Sequence, residues 1–442
     1  MYTEQIISRI MKHWEDSTNT VDFLLSRELD KSTLSAADKA RITDGIYNWV
    51  RCRGSARYLL NAALRKGINS IPPKLRRQLE LAVCRMLFDD RVPKPIIVSS
   101  AIEAIKRDQG AKLVSTANAV LRRISDDPPP WPDADNNPVD FLAASYSHPD
   151  WIVDRWLKRW GNERTIRQLA WDNERPYIWL RYNRLKLELE AAKLTLQTAG
   201  IDFDTFPDHT GYFKLKSGFY PDAAALVKAG YFTVQDPSAS LSVRLLNPKK
   251  DWKILDMCAA PGGKTTHIAE VTNAESEILA VDSSGDRLKM LKKSLKRLNI
   301  KGVRTLEADC TKLSNFIGES TFDAVLIDVP CSGLGVLSRR ADLRWRRKQA
   351  DLGDLTNLQR MLIRAGAEVL RPGGFLVYST CSIEPEENED IVDDFLKDFK
   401  DFHITDNKTD IPKNYFPSPG QMCTFSPDHK IDGIYAVKLT RG

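Results

Sequence analysis

The tightest constraint on this chain is the stretch Trp252–Lys264. An apolar run from Trp252 to Met257 breaks at Pro261-Gly262-Gly263 and resumes with helical periodicity from Lys264 to Val271. A buried strand, a glycine turn and a helix, in that order, form the opening unit of a nucleotide-binding α/β sheet. Glycine lets backbone come close to a ligand, and the first amides of a helix have no partner within it. The spacing differs from G-x-G-x-x-G and from the phosphate loop G-x-x-x-x-G-K-[ST], which argues against a dinucleotide or a nucleoside triphosphate.

Four further strand candidates follow, each ending in a polar or reactive residue. Glu277–Val281 ends in Asp282, and Val303–Glu307 runs into Ala308-Asp309. Phe322–Ile327 runs into Asp328-Val329-Pro330-Cys331-Ser332-Gly333, and Gly374–Tyr378 into Ser379-Thr380-Cys381-Ser382. Helical patterns cover Asp286–Leu298, Leu352–Leu370 and Glu386–Phe399. This alternation predicts an α/β fold with a mostly parallel, doubly wound sheet. Ligands of such sheets sit beyond the carboxyl ends of the strands, and an acid ending the second strand is placed for ribose hydroxyls. Turn and cap preferences explain one acid at one strand end. They do not explain acids at three ends together with cysteines at two. Cys331 and Cys381 leave their strands beside Pro and Thr, open to a cleft, where a lowered pKa makes a thiol a nucleophile. Cys84 instead reads as a small buried hydrophobe, and Cys52 and Cys423 read the same way. Zinc takes about four ligands in regular spacing. Seven cysteines and six histidines show no such spacing, so no metal is expected.

Three segments carry a family resemblance: Asp256–Thr265 (Asp-Met-Cys-Ala-Ala-Pro-Gly-Gly-Lys-Thr), Asp328–Gly333 (Asp-Val-Pro-Cys-Ser-Gly) and Ser379–Glu389 (Ser-Thr-Cys-Ser-Ile-Glu-Pro-Glu-Glu-Asn-Glu). In this order they resemble the RNA cytosine-5 methyltransferases of the RsmB/Fmu/NSUN type, enzymes that use S-adenosyl-L-methionine. The resemblance implies a Rossmann-like S-adenosylmethionine-dependent methyltransferase sheet. Cytosine C5 is a poor nucleophile, and a thiolate added to C6 turns the ring into an enamine-like donor. The resemblance implies that Cys381 is that thiolate and that Cys331 assists the later elimination. It sets Asp328 at the base edge, or against charge at N3, and Lys264 near both cofactor and base. It implies that Cys258, Ala259, Ala260, Pro261, Gly262, Gly263 and Lys264 wrap the methionine and ribose part of the cofactor. Asp282 would take the ribose hydroxyls, Asp309 would face the adenine amino group, and Asp328 lies close to the cofactor too. Cys310 matches no motif cysteine. DNA cytosine-5 methyltransferases share the fold but use the Pro-Cys cysteine, here Cys331, which leaves Cys381 without a task.

Upstream the chain changes character. Apolar faces recur at helical spacing around Ile6, Ile7 and Ile10, and over Ala36–Val50, Leu75–Phe88 (after Pro72-Pro73), Ile96–Arg107 and Val114–Ile124. This all-helical part resembles the NusB-like RNA-binding domain of bacterial small-subunit rRNA enzymes, on Asp44–Arg51 and Asn118–Arg123. Met1–Pro128 holds 22 Lys+Arg against 15 Asp+Glu, while the rest of the chain holds 43 and 44, so the net charge of +6 is concentrated here. Such a face attracts phosphate backbones.

Pro128-Pro129-Pro130-Trp131-Pro132 lies in a linker, Asp126–Pro138. A helix is expected over Ser145–Trp160, with Trp151, Trp156 and Trp160 in its core face. Strands at Tyr177–Tyr182 and Phe213–Leu215 around a helix at Leu185–Ala199 suit the small ferredoxin-like or RRM-like α+β subdomain of the family, with Arg175, Arg181 and Arg184 free to reach phosphates. Asp236 or Ser238 caps a helix over Ala239–Leu246. The last strands are expected in Gly420–Phe425 and Asp432–Leu439. The resulting divisions are 1–127 (NusB-like), 128–144 (linker), 145–235 (α+β) and 236–442 (catalytic).

After Leu337 the bacterial members usually carry Arg-Arg-His-Pro-Asp. Here Ser338-Arg339-Arg340-Ala341-Asp342 precedes Leu343-Arg344-Trp345-Arg346-Arg347. The basic character survives and the loop is expected to grip RNA, while the missing His-Pro leaves its conformation and target preference open. No apolar run reaches membrane-span length and no signal-peptide core opens the chain. Scattered, odd-numbered cysteines fit a reducing cytoplasm. Structured RNA, 16S rRNA foremost, is the expected partner of a monomer. A tRNA substrate, or an RNA-binding factor with a silent site, are the alternatives.

Overall fold

The computed structural model describes residues 2–30, 32–89, 92–217, 221–405 and 409–442. They divide into two compact units, one of Met1–Glu174 with Leu337–Gln349, the other of Arg175–Val336 with Ala350–Gly442. No described helix is long and apolar enough to cross a membrane.

The first unit opens with α1 (Tyr2–Asp16), α2 (Val21–Leu29), α3 (Ala36–Ala63), α4 (Pro73–Phe88), α5 (Lys94–Gln109), α6 (Val114–Asp126), α7 (Pro138–Tyr146) and α8 (Asp150–Asn173). Ile6, Ile10, Ile46, Trp49, Leu60, Leu79, Val83 and Leu121 share one core. Ser35 caps α3, its hydroxyl accepting from the Asp38 amide at 3.1 Å. That helix runs past the expected Val50 and still buries one face, Arg51, Cys52, Ser55, Ala56, Leu59, Leu60 and Ala63, but the small and polar residues there weaken the apolar stripe. α8 begins later and ends later than expected, crossing a break at Gly161 (φ 70°). Trp156 is fully buried, whereas Trp151 and Trp160 are half-buried, Trp160 stacking on Trp156 at 5.5 Å.

The second unit begins with β1 (Trp179–Tyr182), α9 (Leu189–Thr198), β2 (Phe203–Asp204), β3 (Tyr212–Leu215), α10 (Pro221–Lys228) and β4 (Phe232–Val234). The strands form an antiparallel sheet in the order β2-β3-β1-β4 over Leu180, Leu196, Phe213 and Phe232. α9 starts four residues later than the periodicity suggests. The Asn183 side chain turns the chain first, accepting from the Leu185 amide at 3.0 Å and donating to Gly230 and Leu298 carbonyls.

There follow α11 (Ser238–Leu246), β5 (Lys253–Met257), α12 (Gly263–Val271), β6 (Glu277–Asp282), α13 (Gly285–Leu298), β7 (Val303–Glu307), α14 (Ser314–Ile317) and β8 (Phe322–Asp328). The chain then passes through α15 (Leu343–Arg346), part of the first unit, and returns as α16 (Asp351–Val369), β9 (Leu370–Thr380), α17 (Glu389–Asp398), β10 (Phe402–Ile404), β11 (Gln421–Cys423), α18 (Ser426–His429) and β12 (Tyr435–Arg441). The sheet order is β10-β12-β9-β8-β5-β6-β7, with β11 also on β12. β9, β8, β5, β6 and β7 are parallel and β12 is antiparallel to β9. Ile254, Ile278, Ala280 and Leu326 face a layer containing Leu241, Leu288 and Leu291, while Leu255, Val281, Val325 and Ile327 face Leu362, Ile391 and Phe395. The sheet is therefore covered on both faces, as its near-continuous apolar strands require. Chain order reverses between β5 and β8, which opens a crevice at their carboxyl ends.

Leu337–Gln349 corrects one expectation. Ala341 is fully buried in the helical core. Asp342 accepts from the Val21 amide at 3.0 Å, and Trp345 Nε1 donates to the Val50 carbonyl at 2.8 Å. A Cβ on Gly54 would lie 2.7 Å from the Trp345 ring, so glycine there lets the ring seat. Arg344, fully buried, donates to Asp172 and Ser147 carbonyls and to Asn173 Oδ1. Arg346 donates to the carbonyls of Trp14, Ser17 and Asn19. Arg340 pairs with Asp22 at 2.8 Å. Arg344 and Arg346 thus spend their donors inside the protein, and this segment is a strap on the helical unit rather than an RNA grip.

Candidate active site

The turn after β5 is held from several sides. Cys258 adopts a left-handed conformation (φ 57°) and Gly262 has φ 103°. A Cβ on Gly262 would run into Leu291, so the turn needs glycine there for both conformation and room. The Ala259 amide donates to the Val281 carbonyl at 3.0 Å, and the Ala260 amide to Asp282 Oδ2 at 3.0 Å. Asp282, almost fully buried, also accepts from the Ser284 amide at 2.9 Å and lies 3.6 Å from Arg287, which donates to the Ala260 carbonyl. It fastens the turn to β6 with two of its lone-pair directions.

Arg181 of β1 was expected to reach phosphates. Instead it is buried and donates to the Gly263 carbonyl at 3.2 Å, Thr266 Oγ1 at 3.1 Å, Glu270 Oε1 at 2.9 Å and Gln235. Burial of a guanidinium demands pairing, and the sequence could not reveal that most of its partners wait on α12.

Asp256, inside β5, was not singled out by sequence. It is fully buried, and Oδ2 accepts from Thr265 Oγ1 at 2.5 Å. Burial pushes its pKa up to about 7 against the opposing Thr265 bond. The available signal was an acid within an otherwise apolar strand. Asp309, exposed at the end of β7, accepts from Thr311 Oγ1 (2.7 Å) and the Thr311 amide (2.9 Å), and those bonds lower its pKa. Cys310, behind it, is buried with Sγ 3.8 Å from the Val281 carbonyl. Its hydrogen bond to Cys258, with burial, pushes the Cys258 thiol up.

At the ends of β8 and β9, Asp328 and Ser379 are register partners, and Ser379 Oγ donates to Asp328 Oδ1 at 3.1 Å. Lys264 Nζ lies 2.7 Å from Asp328 Oδ2. Burial opposes the charge on Lys264, but Asp328, Cys381 and Asp256 outweigh it and its pKa is raised. Cys331 Sγ and Cys381 Sγ are 3.2 Å apart, both free, well beyond a disulfide bond of about 2.05 Å. The hydrogen bond to Cys381, then burial, then the charges of Cys381, Glu387 and Asp328 push the Cys331 thiol well up. Either thiol of the pair can donate to the other. The Gly335 amide holds the Cys381 carbonyl at 3.0 Å, and a Cβ on Gly335 would lie 2.5 Å from the Gly433 carbonyl.

The structure thus brings Lys264, Asp328, Cys331 and Cys381 together, with Cys258–Gly263, Asp282 and Asp309 along the same sheet edge. Cys52 and Cys84 lie buried in the helical unit, and Cys423 lies half-buried on β11. Among the described residues no group of three or more His, Cys, Asp or Glu is placed to hold a metal ion. A proton-bearing thiol, a second thiol against it and a nearby ammonium can add to an electron-poor carbon and later leave it.

The family model for the 16S rRNA methyltransferase RsmB/F matches residues 243–440. The NusB family model matches residues 3–126, and the ferredoxin-like domain of RsmF/B-like methyltransferases matches residues 148–219. The probable ribosomal RNA small subunit methyltransferase B of Synechocystis sp. is 31% identical over 99% of both chains. Ribosomal RNA small subunit methyltransferase B of Klebsiella pneumoniae is 31% identical over 99% of this chain and 96% of its own. The crystal structure of PH0851 is similar with a TM-score of 0.83 and 27% identity, over 99% of this chain and 97% of that one.

Proposed function

Because the chain belongs to the 16S rRNA methyltransferase RsmB/F family, an S-adenosyl-L-methionine-dependent group of RNA methyltransferases, we propose that it methylates C5 of a cytosine in structured RNA, 16S rRNA foremost, through a covalent bond from Cys381 to C6. The observation that carries this reading is the thiol pair beside Lys264 and Asp328.

In this reading the target base leaves its stack to enter the cleft. The Cys381 thiol releases its proton to solvent, its sulfur, with the Lys264 ammonium beside it, adds to C6, and the C5–C6 electron pair moves to C5. Asp328, held by Lys264 and Ser379, meets the base edge, where it accepts from hydrogen-bond donors of the base. When bound, S-adenosyl-L-methionine supplies the methyl group as an electrophile. C5 then gives up its proton to solvent, the C6–S bond breaks, and the Cys331 thiol stabilises the departing Cys381 thiolate by donating to it.

The donor set fits the cofactor. Asp256, Asp282, Asp309 and Asp328 stand at or beside four strand ends against Lys264 and Arg287, and the cofactor carries a sulfonium and an ammonium. Cys258–Lys264 would hold its methionine and ribose portions, Asp282 the ribose hydroxyls with its remaining lone pairs, and Asp309 the adenine amino group. The helical part (1–127) serves RNA binding, 128–144 is the spacer, 145–235 a second RNA-binding element and 236–442 the catalytic part, with Leu337–Gln349 strapped to the helices. The protein works as a monomer, without metal, in the cytoplasm.

The test is tritiated methyl transfer onto unmethylated 16S rRNA with wild type, Cys381→Ser and Cys331→Ser in parallel. Label with wild type alone, and a stable covalent RNA complex with Cys331→Ser, is expected. Label on tRNA instead moves the substrate and keeps the chemistry. Adduct formation through Cys331, or no label on any RNA, overturns the reading.

A further inference from the structure

Glu387 has no part in the steps above, yet it lies beneath both cysteine loops. It is fully buried, and its four lone-pair directions are all taken. Oε1 accepts from the Ser332 amide at 2.7 Å and from Gln359 Nε2 at 3.0 Å. Oε2 accepts from Ser332 Oγ at 2.5 Å and from Ser382 Oγ. Ser332 follows Cys331 and Ser382 follows Cys381, so a single carboxylate holds the residue after each thiol. Gln359 also donates to the carbonyl of Pro330, the residue before Cys331, at 2.9 Å. The two serine hydroxyls are 3.2 Å apart, as are the two sulfurs, so the loops run side by side. Glu387 is itself fixed: Tyr378 donates to its carbonyl at 2.6 Å, and Thr380 donates to the neighbouring Asn388 side chain at 2.6 Å.

We propose that Glu387 is the positioning residue of the thiol pair, tying the Cys331 loop to the Cys381 loop so that the two sulfurs stay within hydrogen-bond reach. This rests on the reading of the pair given above. Among the described residues its hydrogen-bond donors are these four and none is a cation. A buried carboxylate without a cation is costly, but only a carboxylate can accept from four donors, since an amide offers one acceptor oxygen and would turn its own N–H groups onto the others. It also faces Cys331 and opposes ionisation there.

The experiment compares full-length wild type, Glu387→Gln, Glu387→Ala and Ser382→Ala for turnover, for the fraction of enzyme held as a denaturation-resistant RNA adduct during turnover, and for melting temperature. Gln keeps the shape and loses the charge. Ser382→Ala keeps the charge and cuts the tie on the Cys381 side. Misplacing a reacting group by about 1 Å costs about 10²-fold. Glu387→Ala is expected to lose about that much turnover, and Glu387→Gln and Ser382→Ala about tenfold, each with more adduct than wild type because release suffers more than addition. Should Glu387→Ala fail to fold, the other two variants decide. Wild-type turnover and adduct fraction in Glu387→Gln and Ser382→Ala would overturn the proposal, as would a lowered melting temperature with no change in the ratio of adduct to product. Absence of any adduct in the wild type would instead remove the underlying reading.

Discussion

Two thiol pairs stand along the same sheet edge, and one cation distinguishes their surroundings. Cys258 and Cys310 follow β5 and β7, and the carboxylates of Asp282 and Asp328 add to the hydrogen bond and burial that keep Cys258 protonated. Cys331 and Cys381 follow β8 and β9, where the Lys264 ammonium interacts with Cys381 while Glu387 and Asp328 act on Cys331. Closeness of two sulfurs is common to both pairs. What separates them is the Lys264 ammonium beside the second pair, because a nearby cation favours a thiolate. The acid-lined pair suits a positively charged ligand, and the lysine-backed pair suits an electron-poor ring.

The contrast is sharpest in a paired substitution. Cys381→Ser is expected to lower methyl transfer by about 10⁴-fold or more, as removal of a nucleophile does, while Cys258→Ser stays within a few-fold at saturating cofactor. Equal losses in the tritium assay would erase the distinction. Lys264→Met should cost about 10²–10³-fold in turnover and slow iodoacetamide labelling of Cys381 at pH 7. Unchanged labelling would mean that the cation does not set the reactivity of that thiol. Asp256 tests the acidic side through stability. Its folded pKa, about 7, lies above its ordinary value of 3.8, so its contribution is fully present below about pH 4 and is lost as pH rises through 7. Asp256→Asn should flatten that dependence and raise stability at pH 8 by an amount on the order of a few kcal/mol, read by urea denaturation at pH 5 and pH 8. A pH dependence like that of wild type would contradict the burial argument. Smallest, Cys310→Ala should cost about 1 kcal/mol as a small buried deletion and leave turnover unchanged. A large activity loss there would give the second pair a chemical task.

The strands of the parallel sheet were legible because each is a short apolar run closed by a residue of chemical character, and periodicity alone separates them from the helices between. The same logic picked out Cys331, Cys381 and the acids at Asp282, Asp309 and Asp328. It failed where meaning comes from distant partners. Arg344 and Arg346 read as RNA contacts because a buried arginine and an exposed one are the same letter, and only carbonyls on α1 and near α8 decide. Arg181 failed for the same reason. α3 was cut short because Arg51, Cys52, Ser55 and Ala56 on its buried face are polar or small and dilute the apolar stripe. Glu387 lay in a quoted motif, but its work depends on donors from three separate segments.

The strap bears on the order in which the molecule is made. Trp345 bonds to Val50 across 295 residues of sequence, and Ala341 sits in the helical core. An emerging chain that has reached only Glu174 therefore has an unfilled apolar seat and no Arg344 to satisfy the Asp172 and Ser147 carbonyls. Segments generally fold as they leave the ribosome, amino-terminal first, and here the opening helices gain the last part of their core and pairing only from residues translated much later.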